Sequence, residues 1–478
     1  QPGTACGRSP ALLFGRWCFV SLLGRLADAL WNPWLLGLFL FTGLVLTVGS
    51  GFFPLRRLRL WWRVTAGSLL HTSRASNGGG ISSLQALATA LASTIGTGSI
   101  AGVAMAIYLG GPGAVFWMWA SALLGMSTGC VEKLLSVQYQ TAAPGGGRQG
   151  GPMFYLRDGL HAPGLAAWFA LACLPATLAG GNLVQAGSIA SALQSAFGWD
   201  RLPVGMGTAL LAGLVMVGGM GRVARVSERL VPAMALLYLG SGALVLLVRA
   251  EELPRAFSLI FSCALNPEAA LGGGGGYALS AALRHGVARG VFTNEAGLGT
   301  SAMAHGAARV DHPAKQGMWG IFEVFVSTLL VCSVTALVIL VSGVYVPEEA
   351  LRQLQSGQVP GSSLGVPLTA RAFASVLGPA GEWVVALSLI LFAFSSILGW
   401  SCYGQQGLRY LTGGDRFLPL YRAVFLGCIV LGAVSDVSPL WQLVDLCNAL
   451  MALPNLTALL LLSPQALGCL RAWAGTQK

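Results

Sequence analysis

An apolar span that is interrupted in its own middle most constrains the fold of this chain. Residues 84–109 are long enough to cross a bilayer, yet their centre reads Ser-Thr-Ile-Gly-Thr-Gly-Ser at 93–99. Two glycines within three residues weaken a helix. An unwound backbone persists in hydrocarbon only where it is buried in protein or lines a cavity, as at the binding sites of transporters. Small residues also let neighbouring helices pack closely, so this segment alone leaves two interpretations open.

Composition places the chain in the membrane. Apolar residues make up 55% of its 478 residues, charged residues make up 9%, and the mean hydropathy is +0.70. Soluble domains average about 25% charged residues. We therefore predict an all-α polytopic membrane protein. The net charge of +11 does not predict a nucleic-acid partner, because the basic residues are scattered through short loops without interleaved aromatic residues.

Hydropathy along the chain predicts about eleven membrane-spanning helices. Residues 1–33 carry arginine and aspartate among leucines and aromatic residues, so we expect an interfacial segment there. The predicted helices are 34–53, 82–109, 112–140, 164–197, 203–220, 229–249, 255–285, 317–345, 380–411, 419–434 and 439–463.

The distribution of basic residues predicts the orientation of the chain. Most of the 28 lysines and arginines lie in one set of alternate loops, which the positive-inside rule assigns to the cytoplasm. The N-terminus is then outside, and residues 464–478 form a cytoplasmic tail. Cysteines within the apolar spans form no metal-binding pattern, and we interpret them as small buried side chains: Cys130, Cys173, Cys263, Cys332 and Cys428.

A second interrupted span is predicted at 255–285. It contains Asn266-Pro267 and a glycine run at 272–276, neither of which suits a straight helix. The predicted helices then divide into halves of five, 82–249 and 255–463, each opening with its broken helix. Because each half has an odd number of helices, the repeat is inverted, and helix 34–53 is an extra element. Two breaks at matching positions predict a transporter binding site.

Several motifs in order resemble one known family, the alanine or glycine:cation symporters. They cover residues 34–463: Ser-Thr-Ile-Gly-Thr-Gly-Ser-Ile-Ala-Gly-Val-Ala at 93–104, Gly-Gly-Pro-Gly-Ala-Val-Phe-Trp-Met-Trp at 110–119, Gly-Gly-Pro-Met-Phe-Tyr at 150–155, Arg-Gly-Val-Phe-Thr-Asn-Glu-Ala-Gly-Leu-Gly at 289–299, Ala-His at 304–305, His-Pro at 312–313, Phe-Ala-Phe-Ser-Ser-Ile-Leu-Gly-Trp at 392–400 and Pro-Asn-Leu at 454–456. The resemblance implies a LeuT-type fold of five plus five helices. It also implies sodium-coupled, or proton-coupled, uptake of alanine or glycine across a bacterial inner membrane. No organic cofactor is implied, and we expect a monomer.

Candidate substrate contacts lie at the two predicted breaks and in one helix between them. Backbone N–H groups and hydroxyls of the first break can bind a carboxylate, with close helix packing as the alternative: Thr94, Gly96, Thr97, Gly98 and Ser99. Asn182 and Gln185 share a helix face and contact either the substrate or a neighbouring helix. Phe261 and Ser262, near the second predicted break, are expected to supply carbonyls for the ammonium group and an aromatic cap.

Candidate sodium ligands are hard oxygen donors. Ser395 and Ser396 offer hydroxyls, and the carbonyls of Ala92, Ile95 and Phe392 complete a possible shell. On sequence alone, serines in a membrane helix more often bond to their own preceding turn. Resemblance to the sodium site that this fold commonly has between its first and eighth helices favours the ligand interpretation.

Polar motif residues near the cytoplasmic ends of the predicted helices are assigned to gating or structure. These are Glu132, Asn294 and Glu295; exposed ion pairs with a loop arginine such as Arg289 are the alternative for the two glutamates. His305 and His312 are interpreted as loop histidines. Four positions depart from the family pattern and put substrate choice and ion coupling in question: Ser99, Ser327, Gln140 and Gln405.

Other classes of function are less well supported. A channel requires a continuous polar pore, which so few intramembrane polar residues do not provide. An enzyme is not predicted, because the chain has no HExxH motif and no GxSxG motif on a plausible elbow. A transporter-like sensor that binds amino acids without accumulating them stays open as an alternative to a sodium-coupled or proton-coupled symporter.

Overall fold

A computed structural model describes residues 25–26, 29–31, 33–69, 80–143, 146–265, 275–356, 365–436 and 440–477. Within these residues, six helices are long and apolar enough to cross a membrane, and a bent pair makes a seventh candidate. Large apolar side chains project outward from them, and Leu236 and Leu247 are each 74% exposed. A bilayer is the solvent that such a surface requires. The chain is an all-α polytopic membrane protein, as composition predicts, whereas the count of eleven spans stays a prediction.

The main elements follow each other along the chain in nearly the predicted positions. They are the helices Pro33–Gly49, Phe53–Arg56, Leu58–Val64, Ala66–Leu69, Ser83–Thr94, Val103–Gly110, Gly113–Gln138, Pro152–Phe154, Pro163–Leu178, Val184–Phe197, Arg201–Met216, Gly219–Val248, Leu253–Leu265, Gly275–Asn294, Thr300–His305, Pro313–Val324, Ser333–Val341, Pro347–Ser356, Val366–Leu377, Pro379–Thr412, Leu418–Val434, Leu440–Leu461 and Ser463–Gly475. Two short antiparallel strands, Thr141–Ala142 and Arg148–Gln149, form a hairpin. Most of the predicted interfacial segment 1–33 lies outside the described residues.

The first broken span begins with a strong helix start. The Ser82 side chain accepts a hydrogen bond from Gln85 N, and the Gln85 side chain accepts one from Ser82 N, which together form a capping box. The helix Ser83–Thr94 then ends where Ile95 leaves helical geometry, and the chain resumes as Gly98–Gly110 at an angle of 55°. The predicted interruption at the Gly-Thr-Gly sequence is therefore present.

A break that the sequence did not predict lies after the predicted second interruption. The predicted interruption at 266–276 falls almost wholly on residues 266–274, which lie outside the described part, and the helices Leu253–Leu265 and Gly275–Asn294 flank them. The helix Gly275–Asn294 ends at a turn over residues 295–299, and Thr300–His305 follows. This second break belongs to the Asn-Glu-Ala-Gly-Leu-Gly motif.

Wide π-type turns interrupt other long helices. Ala179–Leu183 separates Pro163–Leu178 from Val184–Phe197, and Phe325–Cys332 separates Pro313–Val324 from Ser333–Val341. Such turns are frequent at functional sites. Most of the predicted C-terminal tail, residues 464–478, lies in the helix Ser463–Gly475, whose apolar side is buried.

Small residues and one backbone bridge hold the bundle together. A Cβ atom on Gly320 would lie 2.4 Å from Gly129 O, so the helices Gly113–Gln138 and Pro313–Val324 touch backbone to backbone. Ile81, just before the first broken span, forms a parallel bridge with Ala308, which follows the second break. The chain segments beside the two breaks are thus joined directly.

Candidate functional site

A small cavity lies where the two helix breaks meet. Its volume is about 30 Å³, and its lining residues come from both breaks and from three further helices: Ser93, Thr94, Gly96, Gly98, Gly180, Gln185, Phe292, Glu295, Leu298, Trp400, Val444 and Asn448. Gly98 faces Phe292, since a Cβ atom on Gly98 would lie 3.2 Å from the Phe292 ring. The two interruptions therefore form a single site.

Oxygen atoms cluster beside the first break. Ser395 Oγ lies 3.1 Å from Ala92 O and 2.9 Å from Phe392 O. Ser396 Oγ lies 3.1 Å from Ala92 O and 3.3 Å from Ser93 O. These five atoms, which we call the oxygen cluster, are all buried and provide the hard donors that Na⁺ prefers.

Most of the predicted sodium ligands belong to the oxygen cluster. Ser395, Ser396 and the carbonyls of Ala92 and Phe392 are brought together, and Ser93 O joins them although the sequence did not point to it. Among the contacts of the described residues, the Ile95 carbonyl does not meet these serines. The sequence-based alternative is also partly present, because Ser395 bonds to Phe392 in its own preceding turn.

Gly96 connects the oxygen cluster to the cavity. It lines the cavity, and a Cβ atom there would lie 2.7 Å from Ser396 Oγ and 3.7 Å from Gln185 Oε1. The second half-helix, Gly98–Gly110, begins two residues later. Backbone N–H groups at a helix N-terminus attract anions, so a carboxylate in this cavity would lie beside the oxygen cluster.

The predicted substrate residues differ in where they lie. Thr94, Gly96, Gly98 and Gln185 line the cavity. Asn182 does not, because its Nδ2 donates to Phe425 O at 2.6 Å and fixes a neighbouring helix, which was the alternative interpretation. Thr97 and Ser99 are buried outside the cavity lining, with hydroxyl oxygens that have no hydrogen-bond partner among the described residues.

Phe261 and Ser262 do not line the cavity, contrary to the prediction. Phe261 is 44% exposed, and its ring packs against Phe116 and Trp119 on the bundle surface. Ser262 bonds to Leu259 O in its own helix. Their place is taken by Phe292, Glu295 and Leu298, because the second break lies after residue 294.

The second break is held by local and distant contacts. Asn294 Oδ1 accepts a hydrogen bond from Ala296 N at 3.0 Å, and Thr300 donates to Glu295 Oε2 at 2.5 Å. Glu295 adopts a φ of 54°, which is uncommon for a residue with a Cβ atom. Gly297 O accepts a hydrogen bond from Asn455 Nδ2 at 2.8 Å. Asn294 thus shapes the turn, whereas Glu295 also lines the cavity.

Glu132 and His305 belong to a buried charged cluster and not to exposed loops. Glu132, Lys133, His305 and Glu323 are each fully buried. Lys133 Nζ lies 3.0 Å from Glu132 Oε2 and 3.4 Å from Glu323 Oε2, and His305 Nε2 lies 3.2 Å from Glu323 Oε2. Asn455 Nδ2 donates to Glu132 Oε1 at 2.7 Å and so joins this cluster to the second break.

The expected arginine partner of the glutamates lies elsewhere. The Arg289 guanidinium lies 5.7 Å from the centre of the Phe292 ring, and no ion pair joins it to Glu132 or Glu295 within the described residues. His312, by contrast, is near a helix start, where its Nδ1 accepts a hydrogen bond from Ala314 N.

The departures from the family pattern occupy distinct environments. Ser327 is buried within the π-type turn Phe325–Cys332, and Ser99 accepts a hydrogen bond from Thr335 on its backbone oxygen at 3.0 Å. Gln405 accepts two hydrogen bonds from Arg422, at 3.0 and 2.8 Å. The Gln140 Oε1 atom is buried without a hydrogen-bond partner in the described part.

Sequence reasoning missed several lining residues. Phe292, Leu298 and Trp400 lay within recognised motifs, but their side chains were not assigned to the site. Val444 and Asn448 lie on the helix Leu440–Leu461, where the available signal was the amide of Asn448 in an apolar span. A larger groove of about 530 Å³ elsewhere contains Arg371 and Glu382 and includes no residue of either break.

The fold is shared with a solved membrane transporter. The crystal structure of the Eremococcus coleocola manganese transporter, in complex with an aromatic bis-isothiourea substituted compound, matches with a TM-score of 0.54. The match covers 80% of this chain and 78% of the other at 17% sequence identity. At this identity the likeness concerns the fold alone, and it agrees with the transporter fold class that the sequence predicted.

Sequence comparison identifies the family. The chain is 39% identical over 451 residues to the sodium/alanine symporter AgcS of Methanococcus maripaludis, covering 93% of this chain and 95% of that one. It is 35% identical over 460 residues to the probable sodium/glutamine symporter GlnT of Bacillus subtilis, covering 96% and 91%. It is also 38% identical over 406 residues to the putative sodium/proton-dependent alanine carrier protein YrbD of Bacillus subtilis, covering 84% and 83%. Since the model of the sodium:alanine symporter family matches residues 17–478, the chain belongs to that family.

Proposed function

We propose that this chain is a sodium-coupled symporter that carries small neutral amino acids, alanine or glycine, by alternating access. Membership of a transporter family makes it a membrane transporter and not an enzyme. The observation that carries the proposal is the contact at Gly96 between the cavity and the oxygen cluster. A substrate and a cation bound there would share one unwound segment of backbone.

Local chemistry supports a role for each part of the site. We place the substrate carboxylate at the start of the half-helix Gly98–Gly110, where N–H groups and the helix dipole favour negative charge. We place sodium in the oxygen cluster, with the hydroxyl oxygens of Ser395 and Ser396 among its ligands. Opposite charges on the two sides of Gly96 attract each other, so each ligand favours the binding of the other.

Cavity size favours the smallest amino acids. A volume of about 30 Å³ holds about two water molecules. Phe292, Leu298, Trp400 and Val444 supply an apolar wall that fits a methyl group. Any amino acid is larger than two water molecules, so the cavity must open for every substrate, but glutamine, which appears in the name of one relative, would require a much larger expansion than alanine or glycine. We therefore place alanine and glycine ahead of larger neutral substrates.

The proposed setting is a bacterial inner membrane. The bias of basic residues supports an external N-terminus and an internal C-terminus. We also propose that the transporter acts as a monomer, and that residues 82–249 and 255–463 are its inverted repeats. In the second repeat, the break that contributes to the proposed site is the turn at 295–299 and not the glycine run at 272–276.

Uptake of radiolabelled alanine by proteoliposomes tests this function. We expect accumulation with an inward sodium gradient and none with equal sodium on both sides. Accumulation driven by a proton gradient alone would show that the coupling ion is the proton and not sodium. Sodium-independent binding without accumulation would instead support the sensor. Ser395→Ala should weaken sodium activation, whereas Ser188→Ala, whose hydroxyl bonds within its own helix, should leave it unchanged.

A further inference from the structure

Buried oxygen atoms without cationic partners surround the central cavity. Glu295, Gln185 and Asn448 are 3%, 7% and 2% exposed, and all three line the cavity. Gln185 Oε1 and Asn448 Oδ1 have no hydrogen-bond partner among the described residues. The Gln185 amide nitrogen donates to Gly180 O at 3.2 Å, which leaves its oxygen as the free end. A buried acceptor without a donor is costly, so such atoms indicate a missing donor.

The Glu295 carboxylate also lacks a compensating positive charge. Within the described residues, no Lys, Arg or His nitrogen lies within 4.0 Å of it. Lys133, the buried lysine of the charged cluster, lies within that distance of Glu132 and Glu323 instead. The Thr300 hydroxyl satisfies only Glu295 Oε2. A buried carboxylate with a single neutral donor is therefore one positive charge short.

The backbone holds this carboxylate in an uncommon position. Glu295 is one of three non-glycine residues with positive φ in the described part of the chain, at 54°. The Asn294 side chain and the Thr300 hydroxyl fix the turn on either side of it. Residues held in sparsely populated conformations cluster at ligand-binding sites, where the surrounding structure enforces them.

We propose that the Glu295 carboxylate binds the α-ammonium group of the transported amino acid, together with Gln185 Oε1 and Asn448 Oδ1. This inference rests on the proposed function, because it takes an amino acid as the ligand. An ammonium group has three N–H donors and one positive charge, which match three acceptors and one uncompensated carboxylate. The carboxylate of the same substrate then faces the start of the half-helix Gly98–Gly110.

Equilibrium binding to the purified full-length protein tests the proposal. Radiolabelled alanine is titrated at saturating sodium, and lactate, in which a hydroxyl replaces the ammonium group, is used as a competitor. We expect the wild-type protein to prefer alanine over lactate by at least about a hundredfold. In Glu295→Gln, alanine affinity should fall at least about tenfold while lactate affinity does not fall, so the preference narrows.

Two controls separate this effect from loss of the fold or of the sodium site. Binding of ²²Na⁺ without alanine should stay within about twofold of wild type in Glu295→Gln. Asp311→Asn neutralises an exposed carboxylate that is not part of the described cavity lining and should leave both affinities unchanged. If Glu295→Gln does not fold, Asn448→Leu is decisive and should lower alanine affinity without lowering that of lactate.

The outcomes distinguish this inference from the function on which it rests. Wild-type affinity for alanine and an unchanged preference over lactate in the folded Glu295→Gln protein would overturn the ammonium site while leaving the symporter intact. Loss of ²²Na⁺ binding in that variant would also overturn it, by assigning the carboxylate to sodium. If the wild-type protein binds no small neutral amino acid in sodium, the proposed function itself fails, and the ammonium site fails with it.

Discussion

Gly96 is the residue at which two binding events meet. Its α-carbon faces Ser396 so closely that an added methyl group would lie 2.7 Å from the serine oxygen. Real Cβ atoms do not approach oxygen this closely, so the serine would have to move away from Ala92 O and Ser93 O. Residue 96 must therefore be glycine for two reasons: a larger side chain would displace Ser396 from the oxygen cluster, and glycine allows the helix to bend.

Gly96→Ala should weaken sodium activation of alanine uptake. Displacement of Ser396 removes one donor from the oxygen cluster, and we expect half-maximal activation to require roughly tenfold more sodium, a change of about 1.4 kcal/mol. The measurement is initial uptake against sodium concentration in proteoliposomes. Gly207→Ala is the matched control, since nothing lies within 4 Å of a Cβ atom there. An unchanged activation curve in Gly96→Ala would remove Ser396 from the sodium site.

Lys133 neutralises two buried carboxylates, and its removal should be far more costly than that of an exposed lysine. Lys133→Met leaves Glu132 and Glu323 without their ammonium partner. Breaking a buried ion pair typically costs about 3–5 kcal/mol of stability. Lys315→Met breaks an exposed pair with Asp311 and should cost about 0–1 kcal/mol. Chemical denaturation of the two proteins in detergent, compared with wild type, measures this difference. Equal losses of stability would contradict the structural role of the buried cluster.

The second break is an element set by glycines that meet distant residues. Gly299 has a φ of +86°, and a Cβ atom there would lie 2.4 Å from Pro152 Cγ. Gly198 has a φ of +69° but open space around it. Gly299→Ala should therefore lower the melting temperature clearly more than Gly198→Ala, which carries only the cost of about 1 kcal/mol for a left-handed backbone. Similar melting temperatures for the two variants would show that Pro152 can move away from residue 299 without a loss of stability.

Local signals predicted the first break but not the break at 295–299. Gly96 and Gly98 interrupt their helix by their own conformational freedom, so the sequence was sufficient there. The Asn-Pro and glycine run at 266–276 gave a stronger local signal than the turn at 295–299, whose shape depends on Asn294 and on Pro152 far away in sequence. Phe261 and Ser262 were assigned to the substrate because they lie beside the predicted interruption at 266–276, whereas the cavity is lined by the break at 295–299.

Burial was the property that the sequence predicted least well at the site. Glu132 was assigned to gating or structure, with an exposed ion pair as the alternative, because glutamates are seldom fully buried unless they are paired. It is buried because Lys133 and Asn455 both bond to it, and Asn455 comes from a helix more than 300 residues later in the chain. Asn448 was missed for the same reason, since only the packed bundle shows which face of its helix meets the cavity.

The whole molecule has a predicted orientation that two glycines can test. Gly198 and Gly414 both lie in connections where an added side chain meets nothing within 4 Å, so a cysteine at either position should be tolerated. The positive-inside rule places Gly414, between Arg409 and Arg416, in the cytoplasm, and Gly198 outside. In intact cells, a membrane-impermeant maleimide should therefore label Gly198→Cys and not Gly414→Cys, above the background of the parent chain. After permeabilisation both cysteines should react. Labelling of only Gly414→Cys in intact cells would show that the orientation is the reverse of the predicted one.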